Sequence, residues 1–259
     1  MSLTLSEIEE LRLAKNLLEH PGLAAKISDM VGSPIEKGFA RLPEKWALAV
    51  NAAASRSITA ALDVALRTLD RSGPRPPANR WHKLAAGASG AVGGAFGLAA
   101  LAVELPVSTT IMLRSIADIA RSEGEDLAVL EARLQCIQVF ALGGRSKKDD
   151  GTETGYFATR AAMAKAVSEA ASHLARRGVS DTSAPAIVRL ITRIASRFSI
   201  VVSEKAAAQA VPLVGALGGA AINTVFINHF QDMGRGHFII RRLERLHGPD
   251  AVRRVYETV

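Results

Sequence analysis

The phrase Gly-Ala-apolar-Gly-Gly-Ala occurs twice in this 259-residue chain, from Gly90 to Ala95 and from Gly215 to Ala220. Each copy sits inside a long stretch without formal charge: residues 84–103, between Lys83 and Glu104, and residues 206–231, between Lys205 and Asp232. A glycine inside a solvated helix costs about 0.5–1 kcal/mol relative to alanine. A helix that keeps Gly87, Gly90, Gly93, Gly94 and Gly97 therefore needs close packing against a partner to offset the loss. Spacings of three and four place Gly87, Gly90, Gly94 and Gly97 on one helix face, and Gly215, Gly219 and Asn223 on a matching ridge. The two ridges are expected to lie buried against helices, most directly against each other, in two apolar hairpins at the centre of the fold.

The remaining sequence reads as helix throughout. Alanine and aliphatic residues dominate an apolar fraction of 48%, while aromatics supply only 5%, a balance that favours close-packed helices over sheets. Ser6 before Glu7, Glu9 and Glu10 marks a first helix start, ending near His20. Ser33-Pro34-Ile35-Glu36 is a second start signal, and a long helix is expected from Pro43 to Leu69. Residues 72–80, with three prolines and a glycine, and residues 145–155 are surface loops. Between them a hydrophobic hairpin from Trp81 to Arg121 is expected to bend at Glu104-Leu105-Pro106, followed by a helix over 126–142. Further helices are expected over 156–177, 184–204 and 218–247, with a short one after Pro249. The short β-branched run Phe198–Val202 reads as buried helix. The fold class is all-α, a bundle of nine to eleven helices in a single domain spanning 1–259.

Charge and chemistry narrow the function classes. The net charge is +7, which permits attraction to an anionic membrane surface. Aromatic residues that could stack on bases are not interleaved with the Arg and Lys residues, so nucleic acid is not an expected partner. Cys136 is the single cysteine and reads as a small core residue in a reducing compartment. The start of the chain carries no basic segment followed by an apolar core, so no secretory signal is read there. No phosphate-binding GxxxxGK[ST] loop, GxSxG elbow or HExxH pair occurs, and the six histidines form no ligand cluster at tight spacing. No cofactor and no metal are expected. A candidate polar site comprises Glu104, Asn223, His229, Asp232 and His237. Of these, Glu104 is the single charge in residues 84–113, read as a hairpin-tip carboxylate in solvent. Glu123, Glu125 and Asp126 read as turn or capping groups. Arg241, Arg242 and Arg245 form a candidate surface for a membrane or a partner, against the plainer reading of a solvated face balanced by Glu244 and Asp250.

Several phrases together resemble the EcsC family of bacterial proteins. The most specific is Val211 to Phe238, a proline, glycine-pair and asparagine passage followed by an aromatic-rich helix. Val139 to Gly144, and Glu153-Thr154-Gly155-Tyr156 with Arg160, resemble the family's central portion, and Leu105-Pro106 through Ala120 the segment before it. The resemblance extends over residues 5–257. It implies a membrane-transport context, because the family takes its name from a gene beside an ABC-type transporter, and it supplies no catalytic residues.

The expectation is a non-enzymatic accessory or binding protein, cytoplasmic and peripheral at the inner face of the plasma membrane, whose partner is a membrane surface or a membrane protein. Its rivals are a hydrolase with a site near Asn223, His229, Asp232 and His237, and a lipid-binding helical protein with an apolar cavity between the hairpins.

Overall fold

In a computed structural model, the residues described are 3–19, 22–31, 36–40, 42, 45–69, 98–143, 155–178, 183–210 and 215–259. They form helices and no strands. In chain order these are α1 (Leu5–Glu19), α2 (Leu23–Val31), α3 (Glu36–Phe39), α4 (Trp46–Thr68), α5 (Leu98–Ser122), α6 (Leu130–Leu142), α7 (Gly155–Arg177), α8 (Pro185–Gln209), α9 (Gly215–His247) and α10 (Pro249–Thr258). The all-α architecture expected from composition and periodicity is what the chain adopts.

The 33 residues of α9 rise about 50 Å at 1.5 Å each and set the axis of the molecule. Side-chain contacts fix how its neighbours run. Glu7 and Glu10 of α1 meet His247 and Arg242, so α1 is antiparallel to α9. Gln135 and Phe140 of α6 meet His237 and Phe230, and Phe198 and Lys205 of α8 meet Phe230 and Asn223, so these two helices are antiparallel as well. α5 runs parallel to α9, with Ser115 bonded to Gln231 and Ile116 against Gly234. α4 lies alongside α5 in the same direction, and Arg121 near the end of α5 donates to the Leu69 carbonyl just past the end of α4. The N-terminal ends of α4, α5 and α9 therefore share one end of the molecule.

Phe140, Phe198, Phe226 and Phe230 form the aromatic centre of the core, with ring centroids 5.2–6.1 Å apart in tilted and edge-on pairs. Elsewhere the interior is aliphatic and alanine-rich, with Ala54, Ala61, Ala117, Ala141 and Ala170 fully buried. Small residues let helices approach closely at Gly38 and Gly236. A Cβ at Gly38 would lie 1.9 Å from the Ala207 carbonyl oxygen, and one at Gly236 would meet Leu18 Cγ at 2.7 Å and the Ala14 carbonyl oxygen at 2.9 Å.

One expected element is corrected. The bend at Glu104-Leu105-Pro106 is absent, because α5 runs unbroken through Pro106. The proline removes the amide that would bond the Ala102 carbonyl, but Ala102 is exposed and its carbonyl can turn to water. Beyond the proline, the Thr110 hydroxyl donates to the Pro106 carbonyl and the Ser108 hydroxyl to that of Leu105. The helix expected from Asp126 begins instead at Leu130, after a turn in which Asp126 accepts a bond from the Ala128 amide. Gly87, Gly90, Gly93, Gly94, Gly97, residues 72–80, residues 145–154 and the start signal at 33–35 lie outside the described residues, as do the surroundings of Gly215. Gly219 and Asn223 are buried on α9. No helix among the described residues is long and apolar enough to cross a membrane.

Candidate functional site

Four of the five polar residues singled out in the sequence project from α9, and each meets a different neighbour. Asn223 is the first. Its Oδ1 accepts a 2.8 Å bond from Nζ of Lys205 on α8. The same ammonium donates to Oε1 of Glu104 on α5 at 2.6 Å, with the two side chains 0% and 5% exposed. Lys205 Nζ also sits 4.8 Å from the Phe226 ring centroid. Three helices thus deliver a carboxylate, an ammonium and an amide to one buried point. Burial pushes the Lys205 ammonium down from its ordinary range, while the adjacent Glu104 charge opposes that shift. Glu104 is therefore a buried counter-ion and not the solvent-facing hairpin tip that the sequence suggested.

Asp232, further along α9, accepts a 2.9 Å bond from Lys26 of α2 at partial exposure. His229, one turn earlier on α9, donates from Nε2 to the Gly143 carbonyl at 3.1 Å, at the end of α6. Gly143 has no room for a side chain there: a Cβ would stand 2.8 Å from both His229 Nε2 and Phe230 Cε1.

His237 lies fully buried between α6 and α7. Its Nε2 is 3.2 Å from Gln135 Oε1, an oxygen that can only accept, so Nε2 carries the proton. Nδ1 is then the acceptor for the Tyr156 hydroxyl at 2.9 Å. Desolvation, followed by repulsion from Arg160 and Arg241, holds the imidazole well below its usual range, and it stays neutral. Burial pushes the Tyr156 phenol up to about 12. One turn beyond, Arg160 grips Glu244 with two bonds of 2.7 and 2.6 Å. The chemistry supported here is a fixed donor–acceptor chain, Tyr156 to His237 to Gln135, with no titration near neutrality.

The arginines near the end of α9 are also committed within the chain. Arg241 bonds Glu125 through Nε at 2.7 Å and Nη2 at 3.2 Å, and Arg245 pairs with the same carboxylate. Arg242 bridges Glu123 at 2.8 Å and Glu10 at 2.7 Å. Glu244, proposed from sequence as a local balance for these arginines, instead serves Arg160. Among the described residues no group of three or more His, Cys, Asp and Glu side chains is placed to hold a metal ion.

Sequence reading gave Lys205 no role beyond the edge of an uncharged stretch. Only a weak local signal was present: Lys205 is the one cation between Arg197 and Arg235, with Glu204 beside it, and Glu104 is the one charge of residues 84–113. Gln135 and Ser115 carried no comparable signal. Tyr156 and Arg160 stood among the residues of the family resemblance.

Comparison with known families matches residues 6–243 to the EcsC protein family. No curated protein and no solved structure matches the chain.

Proposed function

The chain belongs to the EcsC protein family, and from that premise we propose that it is a non-enzymatic, membrane-associated binding protein. One observation carries the reading. Leu48 on α4 and Val103 and Val107 on α5 are 70%, 75% and 51% exposed, at the end of the molecule where the N-termini of α4, α5 and α9 gather. Leu48 lies on a helix packed beside the one that carries Val103 and Val107, and several large aliphatic side chains left in solvent at one end of a molecule mark an interaction surface more often than a single one does. The other polar clusters supply a complementary argument. Glu104, Lys205, Tyr156, His237 and the arginines of α9 are each spent on bonds between helices, which suits a scaffold that binds rather than a site that turns over.

The hydrolase alternative draws least from this geometry, since Asn223, His229, Asp232 and His237 face four different neighbours. A location at the inner face of the plasma membrane, and a link to a transporter or to secretion, are further parts of the proposal. Flotation of the purified chain with lipid vesicles at low salt tests it. Co-flotation is the expected result, and a chain that stays entirely in the dense fraction with every vesicle composition overturns the membrane reading.

A further inference from the structure

We infer that the exposed stripes of α4 and α5 dock on an anionic lipid surface, with their aliphatic side chains in the interface and Lys45, Arg56 and Arg114 on the headgroups. The inference rests on the membrane reading above and names its contact face and its lipid chemistry.

The spacing of residues carries it first. On α5, Val103, Val107 and Arg114 follow one another by four and seven residues and share one stripe, and all three are exposed. Lys45, at the N-cap of α4, and Leu48, Ala52 and Arg56 on it follow by three and four, and all four are exposed. Because α4 and α5 lie side by side in the same direction, the aliphatic parts of the two stripes fall at the same end. Arg114 lies about 10 Å beyond Val107, and Arg56 about 12 Å beyond Leu48, at 1.5 Å per residue. Helices lying on the surface would carry these cations to the headgroups at the edge of the apolar contact, the arrangement of interfacial amphipathic helices.

Charge complementarity selects the kind of surface. Each carboxylate on the described parts of α4 and α5 already has a cation of its own: Asp63 pairs with Arg67, Glu104 with Lys205 and Asp118 with Arg121. Among the described residues, Lys45, Arg56 and Arg114 pair with no carboxylate. The face therefore presents aliphatic side chains and positive charge together, with its negative charge neutralised. An acidic leaflet satisfies both features, whereas a neutral one satisfies only the first. The arginines of α9, the candidates from sequence, lack this property because Glu10, Glu123 and Glu125 hold them.

Flotation with phosphatidylcholine vesicles, with and without phosphatidylglycerol, tests the assignment on the full chain. The natural sequence is expected to float with the acidic vesicles and to lose binding as salt rises. Val103→Asp with Val107→Asp is expected to abolish flotation while leaving the helical circular dichroism unchanged, since both side chains stand in solvent. Should that pair fail to fold, Val103→Ser with Val107→Ser asks the same question. Arg56→Gln and Arg114→Gln are expected to lower partitioning into acidic vesicles about fivefold each and to leave neutral vesicles unaffected. If the natural chain floats and the aspartate or serine pair floats equally well, the contact lies elsewhere, and only this assignment falls. If the substitutions turn a dimer into a monomer without changing flotation, the face belongs to a second copy of the chain, and the lipid assignment is again overturned. A natural chain that floats with neither vesicle removes both this inference and the reading beneath it.

Discussion

Two regions of this molecule are built from the same kind of ion pair and treat it in opposite ways. At one end, Glu104 and Lys205 meet in the dry core with a single amide, Asn223, as company. At the other, Arg241, Arg242 and Arg245 share Glu10, Glu123 and Glu125, with the arginine side chains 18–39% exposed. Where the carboxylates stay within reach of water, as Glu10 and Glu123 do beside Arg242 at 40% and 19% exposed, each pair contributes little. The buried pair brings a large desolvation cost, which its mutual attraction offsets only while both partners are present. Glu204 is a useful intermediate. It precedes Lys205 on α8, is partly buried, and accepts a bond from the Ala24 backbone, with no cation paired to it among the described residues, so burial raises its carboxyl to about 7.

The largest expected effect that tests this contrast is at Lys205. Lys205→Ala leaves Glu104 buried and uncompensated, and should lower unfolding stability by about 3–5 kcal/mol in urea titrations. Adding Glu104→Leu to Lys205→Met should recover part of that loss. A single variant that costs no more than a surface pair would break the contrast.

Glu204 sharpens it through pH. The native carboxyl holds its proton at pH values where the unfolded one, near 4.5, has released it. Its contribution to stability is therefore fully present below about pH 4.5 and is lost as the pH climbs to about 7. Glu204→Gln should flatten that part of the stability–pH profile, and an unchanged slope would show that the carboxyl is not desolvated as described. The smallest effect belongs to Arg242→Gln, about 1 kcal/mol or less, and shrinking further in high salt. A loss comparable to that at Lys205, insensitive to salt, would place the arginine group in the same class as the buried pair.

Much of the helical layout was legible in the sequence. Caps, periodicity and prolines placed α1, α4, α7 and α9 within a few residues of their observed ends, because local signals set helix limits. The polar clusters were less legible, and the reason is physical. A proline two residues after Glu104 looks like a break when read locally, but the helix continues through it, with Leu105, Met112 and Ile116 buried in the core. Lys205 and Glu104 are 101 residues apart, and nothing local announces that one lone cation will find one lone anion. The partners of Arg242 are likewise remote in sequence, at Glu10 and Glu123, so the nearby Glu244 and Asp250 were the wrong acids to credit. Among the described glycines, Gly38 and Gly236 make the closest approaches to a neighbouring helix, and neither carries a local signal of that contact.

Cys136 gives the molecule an internal clock. Its thiol is fully enclosed in α6 and pushed up to about 12 by burial, and the chain has no second cysteine to confuse the reading. A thiol-directed reagent can reach it only when the bundle comes apart around it. The pace of alkylation in native buffer therefore counts openings of the core directly, one modified molecule for each opening caught. With the same reagent, the buried pair at Lys205, the carboxyl at Glu204 and the arginines at the far end can be ranked by how often each lets the centre open.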